Sequence, residues 1–161
     1  MAEILWMLTV GVVATIAMDL WSFLQKRFLG IGSLDYALVG RWLLHMPSGK
    51  FAHDNIFTAP ACSREREVGW LAHYAIGVLF AALLLLVAGP VWARDPSLPA
   101  AIATGIATVA APFFVLQPAF GMGIAASKTP RPMAARLRSL AVHGVFGLGL
   151  YAGALLAKDL L

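Results

Sequence analysis

Residues 4–25 read ILWMLTVGVVATIAMDLWSFLQ, an apolar run with Asp19 as its one charged residue. A membrane-spanning helix needs about 20 predominantly apolar residues, so this stretch is long enough to cross a bilayer. Three more long apolar runs occupy residues 68–91, 98–126 and 136–158. The sequence therefore predicts an all-α integral membrane protein. Its four transmembrane helices should form a compact bundle, and residues 1–161 should be a single domain.

The composition fits this class. The chain is 60% hydrophobic and 12% charged, whereas soluble domains carry about 25% charged residues. The net charge of +4 does not indicate nucleic acid, because the basic residues flank the apolar runs and no nucleic-acid motif is present. Glu3 in place of a basic segment argues against a cleavable signal peptide. The single cysteine, Cys62, cannot form an intramolecular disulfide.

The basic residues predict an orientation. Ten of the twelve lie in residues 26–67 or between the end of the third run and the start of the fourth: Lys26, Arg27, Arg41, Lys50, Arg64, Arg66, Lys128, Arg131, Arg136 and Arg138. Arg94 and Lys158 are the two on the opposite side. Because cytoplasmic loops carry an excess of Lys and Arg, residues 26–67 should be cytoplasmic and both termini periplasmic. The expected location is the bacterial inner membrane, with a multi-pass chain and the lipid bilayer as partner.

The first loop predicts a short interfacial helix. Ser33 is the expected N-cap, Asp35 suits the first turn, and Pro47 ends the pattern. Apolar and amphipathic side chains recur at helical spacing: Leu34, Leu38, Trp42 and His45. Such a helix either lies across the cytoplasmic mouth or only seals the bundle.

Four polar residues lie inside the four apolar runs, namely Asp19, His73, Gln117 and His143. At ~1.5 Å per residue, Asp19 and the two histidines lie roughly 8–11 Å inside the cytoplasmic boundary, with Gln117 somewhat deeper. Ionisable groups are costly in hydrocarbon and are by default a functional-site hypothesis. Small residues share their helix faces, so the polar groups should point inward. The predicted site for a solute or cation consists of Asp19, His73, Gln117, His143, Thr15 and Tyr74.

Pro112 and Pro118 should interrupt the third run near this layer. A broken helix beside polar residues is typical of a transporter binding site, although the same prolines could serve only packing.

Several functions fit the polar layer. The first interpretation is a small transporter or permease-like protein, functioning as a homodimer, in which Asp19 couples transport to a proton or cation. In the second, Asp19, His73 and His143 hold a divalent metal or a haem, although no cofactor is the leading expectation. In the third, the layer fixes helix packing in an accessory subunit of a larger membrane complex.

A lipid-binding role is a further alternative. Basic residues near the cytoplasmic boundary are expected at the mouth or on anionic headgroups: Arg41, Arg66, Arg136 and Arg138. An enzyme is the less favoured interpretation, because there is no Ser-His-Asp order and no phosphate loop. A lipid-modifying enzyme facing the inner leaflet stays an alternative, because the depth of the polar layer matches lipid headgroups.

Five motifs carry a family resemblance. They are Ala-Thr-x-x-Met-Asp (14–19), Val-Gly-Arg-Trp (39–42), Gly-Trp-Leu-Ala-His-Tyr (69–74), Gln-Pro-Ala-x-Gly-x-Gly (117–123) and Arg-x-Arg-Ser-Leu (136–140). With His143 and Gly147, they resemble a bacterial family of small four-helix inner-membrane proteins known as domain of unknown function 2938. The resemblance covers nearly the whole chain. It implies a membrane location and supports the choice of site residues, but it implies no activity.

Overall fold

The computed structural model describes all 161 residues, and its regular structure is entirely helical. The α-helices are α1 (Ala2–Leu29), α2 (Tyr36–His45), α3 (Glu65–Arg94), α4 (Leu98–Ala107), α5 (Gln117–Ala119) and α6 (Pro132–Ala157). Four helical stretches are long and apolar enough to cross a membrane: Ala2–Leu29, Glu65–Arg94, Leu98–Ala119 and Pro132–Leu160. The predicted all-α class with four candidate spans is confirmed.

The third candidate span differs from its prediction at the C-terminal end. It ends at Ala119, not at residue 126, because the backbone then leaves helical geometry. Gly121 and Gly123 have φ of 83° and 74°, a region that glycine adopts without steric cost. Ala125 and Ala126 follow with φ of 49° and 58°. The Ala125 carbonyl accepts a 2.8 Å hydrogen bond from Arg136 Nε, which helps to hold this strained segment.

Pro112 also changes the geometry of this span. Residues Pro112–Leu116 form a π-helical turn, and the backbone N–H of Gln117 donates to the Pro112 carbonyl. Proline lacks the N–H that would bond the carbonyl four residues earlier in an α-helix. The bond from Gln117 to Pro112 is of the i→i+5 type, which widens the turn. The predicted interruption beside the polar residues is therefore present as a widened turn.

The short helix of the first loop is also confirmed, but its cap is not Ser33. Helix α2 begins at Tyr36, and the Asp35 side chain accepts a 3.0 Å hydrogen bond from the Ala37 N–H. Ser33 lies two positions too early to reach these free amides, so the prediction of the capping residue is wrong.

The chain groups into two compact units. The first unit contains Met1–Ser33, Tyr74–Thr108 and Leu140–Leu161, and the second contains Leu34–His73 and Val109–Ser139. The single-domain description stays a prediction.

The first unit is a bundle of α1, α4 and the larger parts of α3 and α6. Fully buried Trp6, Val10, Leu150 and Ala154 belong to its hydrophobic core. Glycines allow the helix backbones to approach closely. A Cβ atom at Gly149 would lie 2.6 Å from the Ala14 Cα, and one at Gly105 would lie 2.5 Å from the Gly147 Cα. Close approach of this kind is how helices gain packing energy in lipid.

The second unit folds the first loop over α2, the start of α3 and the α5 region. Its core includes Leu38, Val39, Ile56 and Phe120. The N–H of His53 donates to the Ala119 carbonyl at 2.8 Å, and the N–H of Ile56 donates to the Phe120 carbonyl at 3.2 Å. The first loop is thus an ordered layer with its own backbone hydrogen bonds.

Candidate functional site

Asp19 and Tyr74 form a hydrogen bond within the first unit. The Tyr74 hydroxyl donates to Asp19 Oδ2 at 3.0 Å and connects α1 to α3. Both residues are half-buried. The bond therefore joins two of the predicted site residues across a helix interface.

Thr15 lies one turn before Asp19 and is 1% exposed. Its hydroxyl donates to the Gly11 carbonyl at 2.8 Å, as threonines in membrane helices often do. Its Oγ1 occupies the space that a Cβ atom at Gly77 would need. Thr15 thus serves the close contact between α1 and α3, and its one proton is already donated.

His143 and Thr108 form a second polar pair in the first unit. His143 is 8% exposed, Thr108 is 5% exposed, and His143 Nδ1 lies 2.8 Å from the Thr108 hydroxyl oxygen. The same hydroxyl donates to the Gly105 carbonyl at 2.6 Å. Because a hydroxyl carries one proton, this arrangement favours a His143 tautomer with the proton on Nδ1. The other nitrogen, Nε2, is then the one that accepts a further proton.

His73 lies in the second unit within an aromatic group. Its ring stacks on Tyr36 with 3.9 Å between the ring centroids, and it meets Trp70 edge-on at 5.8 Å.

Gln117 also belongs to this unit, where its Oε1 is buried without a hydrogen-bond partner. An unsatisfied buried acceptor costs about 1–3 kcal/mol. Gln117 therefore has an acceptor available for a ligand or a water molecule.

Among the predicted site residues, the structure shows one hydrogen bond, which lies in the first unit. Asp19 meets Tyr74, and Thr15 lies on the same face of α1, while His143 meets Thr108, which was not predicted. Neither unit brings three or more His, Cys, Asp or Glu side chains together in an arrangement that could hold a metal ion. The single solute site and the metal alternative stay predictions.

Arg41 has a different environment from the one expected of a headgroup contact. Its Nε and Nη2 donate to the two carboxylate oxygens of Glu65, both at 2.8 Å. Its Nη1 donates to the carbonyls of Ile56 and Ala59 at 3.2 and 3.1 Å. The hydrogen bond to Glu65 raises the pKa of Arg41 above its ordinary value. All three guanidinium nitrogens are thus engaged inside the protein, whereas Arg66 and Arg138 are exposed and Arg136 is half-buried.

Sequence reasoning missed a histidine pair in the first loop. His45 Nδ1 lies 2.8 Å from His53 Nε2, and His53 is 6% exposed. Burial lowers the pKa of His53, and the positive charges of Lys50 and His45 lower it further. Its Nδ1 is buried without a hydrogen-bond partner. The available signal was two histidines separated by the turn formers Pro47 and Gly49, which allow the chain to fold back.

The comparison with protein families identifies the chain. The family model described as "Protein of unknown function (DUF2938)" matches residues 8–157. The chain belongs to this family. The match includes all or most of each of the four candidate membrane helices, and it confirms the resemblance drawn from the five motifs. The comparisons with curated proteins and with solved structures found no match.

Proposed function

We propose that this protein binds a proton or a small cation at Asp19 and couples that binding to transport across the bacterial inner membrane. The observation that carries the proposal is the hydrogen bond from Tyr74 to Asp19, which joins two helices long enough to cross a membrane. Acidic residues inside membrane helices are expensive and commonly belong to ion or proton pathways.

The chemistry of the pair suits reversible binding. An ionised carboxylate only accepts hydrogen bonds, whereas a protonated one also donates. A proton or a cation bound at Asp19 Oδ2 would compete with the Tyr74 hydroxyl for that oxygen. Because Asp19 lies on α1 and Tyr74 on α3, the occupancy of the carboxylate affects a contact between helices. That coupling is what an ion-driven conformational change requires.

His143 supplies a second group that can take a proton. Its Nδ1 lies beside Thr108, and Nε2 is the basic nitrogen of the favoured tautomer. In the proposal Asp19 is the binding group and His143 a proton acceptor.

The test uses purified protein in liposomes that contain a pH-sensitive dye. A potassium gradient with valinomycin drives proton entry, and separate samples with sodium- or potassium-sensitive dyes measure cation entry. We expect uptake above that of protein-free liposomes, and we expect Asp19→Asn to reduce it to the protein-free level. The matched control is Asp95→Asn, which removes an exposed carboxylate between α3 and α4.

Two results would overturn the proposal. One is uptake by Asp19→Asn equal to that of the wild type. The other is wild-type uptake no faster than that of protein-free liposomes for protons, sodium and potassium alike. A thermal unfolding measurement on each variant ensures that a loss of uptake is not a loss of fold.

A structural role for the polar residues is the second candidate, and the pairing of His143 with Thr108 favours it. Hydrogen bonds between membrane helices contribute about 0.6 kcal/mol on average and at most about 1.7 kcal/mol. This candidate predicts that Thr108→Val lowers the free energy of unfolding within that range. It also predicts that Asp19→Asn and Tyr74→Phe affect stability alone and leave ion uptake unchanged.

A further inference from the structure

An open cleft of about 700 Å³ lies in the second unit. One wall is the first-loop segment around His53 and the other is the irregular segment that follows α5. Its polar and backbone lining comes from six residues: His53, Asp54, Gly121, Gly123, Ser127 and Lys128. None of them belongs to the predicted solute site.

The walls of the cleft are held in place. The His53 N–H is bonded to the Ala119 carbonyl at 2.8 Å. Gly121 packs so closely on the first loop that a Cβ atom there would lie 2.8 Å from the His53 carbonyl oxygen. A Cβ atom at Gly123 would lie 2.9 Å from Lys128 Cγ. The backbone of both walls is therefore fixed before any ligand binds, which lowers the entropic cost of binding.

The cleft carries two opposite charges that do not neutralise each other. Asp54 and Lys128 both line it and are both exposed, yet the salt bridge of the structure is that between Arg41 and Glu65. A ligand with an anionic and a cationic end would meet a complementary charge at each position. A phosphate group suits Lys128 together with the Ser127 hydroxyl, and an ammonium group suits the Asp54 carboxylate.

His53 supplies an independent indication of a ligand. The residue is 6% exposed, and its Nδ1 is buried without a hydrogen-bond partner. Nε2 is already engaged with His45 Nδ1 at 2.8 Å. If His45 donates in that bond, His53 Nδ1 carries a proton and can donate to a phosphate oxygen. If His53 donates instead, Nδ1 can accept from an ammonium group. In either tautomer this buried nitrogen lacks a partner, and a buried polar atom without a partner indicates a place for a ligand or a bound water molecule.

The position of the cleft in the chain indicates where such a ligand comes from. Pro118 lines the cleft and lies at the end of the candidate span Leu98–Ala119. Ile124 also lines it and is 59% exposed, so an apolar contact is available beside the charges. We propose that this cleft binds a zwitterionic phosphate ester, the chemistry of a phosphoethanolamine lipid headgroup.

The test measures lipid binding by native mass spectrometry of the detergent-solubilised protein. Dioleoyl phosphatidylethanolamine is compared with dioleoyl phosphatidylglycerol, which has the same acyl chains and a phosphate but no ammonium group. We expect tighter binding of the ethanolamine lipid by the wild type. Asp54→Asn should remove that preference. Lys128→Gln should weaken both lipids by about tenfold or more, because each substitution removes a charge-assisted contact.

Matched controls are Asp95→Asn and Lys26→Gln, which remove exposed charges outside the cleft. Both should bind as the wild type does. Free phosphoethanolamine as a competitor distinguishes the two sources of this chemistry. Displacement of the lipid at comparable concentrations would identify a soluble ester as the ligand, and failure to displace it would identify the membrane lipid.

Two outcomes would overturn the proposal. The first is equal affinity of the wild type for the two lipids, a comparison that needs no variant and so does not depend on the folding of one. The second is binding by Asp54→Asn and Lys128→Gln that matches binding by the controls. Ion uptake through Asp19 plays no part in either measurement.

Discussion

Replacement of Arg41 by methionine should release the first loop from the start of α3. The substitution keeps most of the aliphatic stem and removes the guanidinium group. It deletes the two 2.8 Å bonds to Glu65 and the bonds to the carbonyls of Ile56 and Ala59. Glu65 then keeps a bond from the Cys62 N–H at 2.9 Å but loses its counter-charge.

The magnitude follows from the exposure of the pair. The side chains of Arg41 and Glu65 are 13% and 16% exposed, so the pair is neither fully buried nor on the surface. Breaking a buried pair by removing one partner costs about 3–5 kcal/mol, whereas exposed pairs contribute about 0–1 kcal/mol. We therefore expect Arg41→Met to lower the free energy of unfolding of the second unit by about 2–3 kcal/mol.

The single cysteine supplies the assay. Cys62 is half-buried and unpaired, and its amide is tied to Glu65. The rate of maleimide labelling under native conditions therefore reports release of the loop. A loss of about 2 kcal/mol would raise the population of chains with the loop released about 30-fold. The labelling rate should rise by no more than this factor, because a half-buried thiol also reacts while the loop is in place. Thermal unfolding of the same samples gives the loss of stability directly.

Two variants make the result decisive. Arg66→Met removes an exposed arginine from the same turn of α3 and should label as the wild type does. The double variant Arg41→Met/Glu65→Leu should recover part of the lost stability, because it removes the uncompensated carboxylate. If Arg41→Met has the same labelling rate and melting temperature as Arg66→Met, the claim that this ion pair holds the loop against α3 is refuted.

Three other predictions concern pH, packing and backbone strain. The pKa of folded His53 is lowered from 6.5, so the unfolded chain binds the proton more readily than the folded one. The free energy of unfolding should therefore fall as pH decreases below about 6.5. Unfolding curves at about pH 7 and about pH 5 should show this fall, and His53→Gln should reduce it. Gly147→Ala should lower stability by about 1–3 kcal/mol, because its Cβ would lie 2.9 Å from the Ala101 carbonyl oxygen; an unchanged melting temperature would contradict the close approach of α4 and α6. Ala125→Gly should raise the melting temperature, because glycine adopts the left-handed backbone of this position without strain, and the free energy of unfolding should rise by up to about 1 kcal/mol. A lower melting temperature would show that this segment is not strained.

The four candidate membrane-spanning helices were predictable from the sequence because hydropathy over about 20 residues is a local signal. Asp19 was recognised as exceptional for the same reason, since a charge inside such a run is visible without any knowledge of packing. The pairing with Tyr74 needed the rotation of both helices, which small-residue stripes indicate only roughly. The end of the third span was missed because Ile124, Ala125 and Ala126 are apolar, although their backbone is not α-helical.

The contacts of the second unit could not be read from the sequence. Arg41 and Glu65 are separated by 24 positions, and their pairing depends on how an irregular loop folds over α2. Arg41 therefore resembled an ordinary topology-determining residue. The partner of His53 depends on the same loop, and so does the cleft, whose opposite wall comes from a distant part of the chain.

The π-helical turn at Pro112–Leu116 has a consequence for the tolerance of the chain to length changes. A π turn holds one more residue than an α turn while the helical segments on either side keep their phase. Deletion of Val115 would therefore remove one residue from the turn that the Gln117-to-Pro112 hydrogen bond closes and leave an ordinary α-helical turn. Helix α5 would not rotate about its axis. The same deletion in the middle of α1 would rotate every later side chain of that helix by about 100°. Natural length variants of this protein are accordingly expected at the π turn and not within α1.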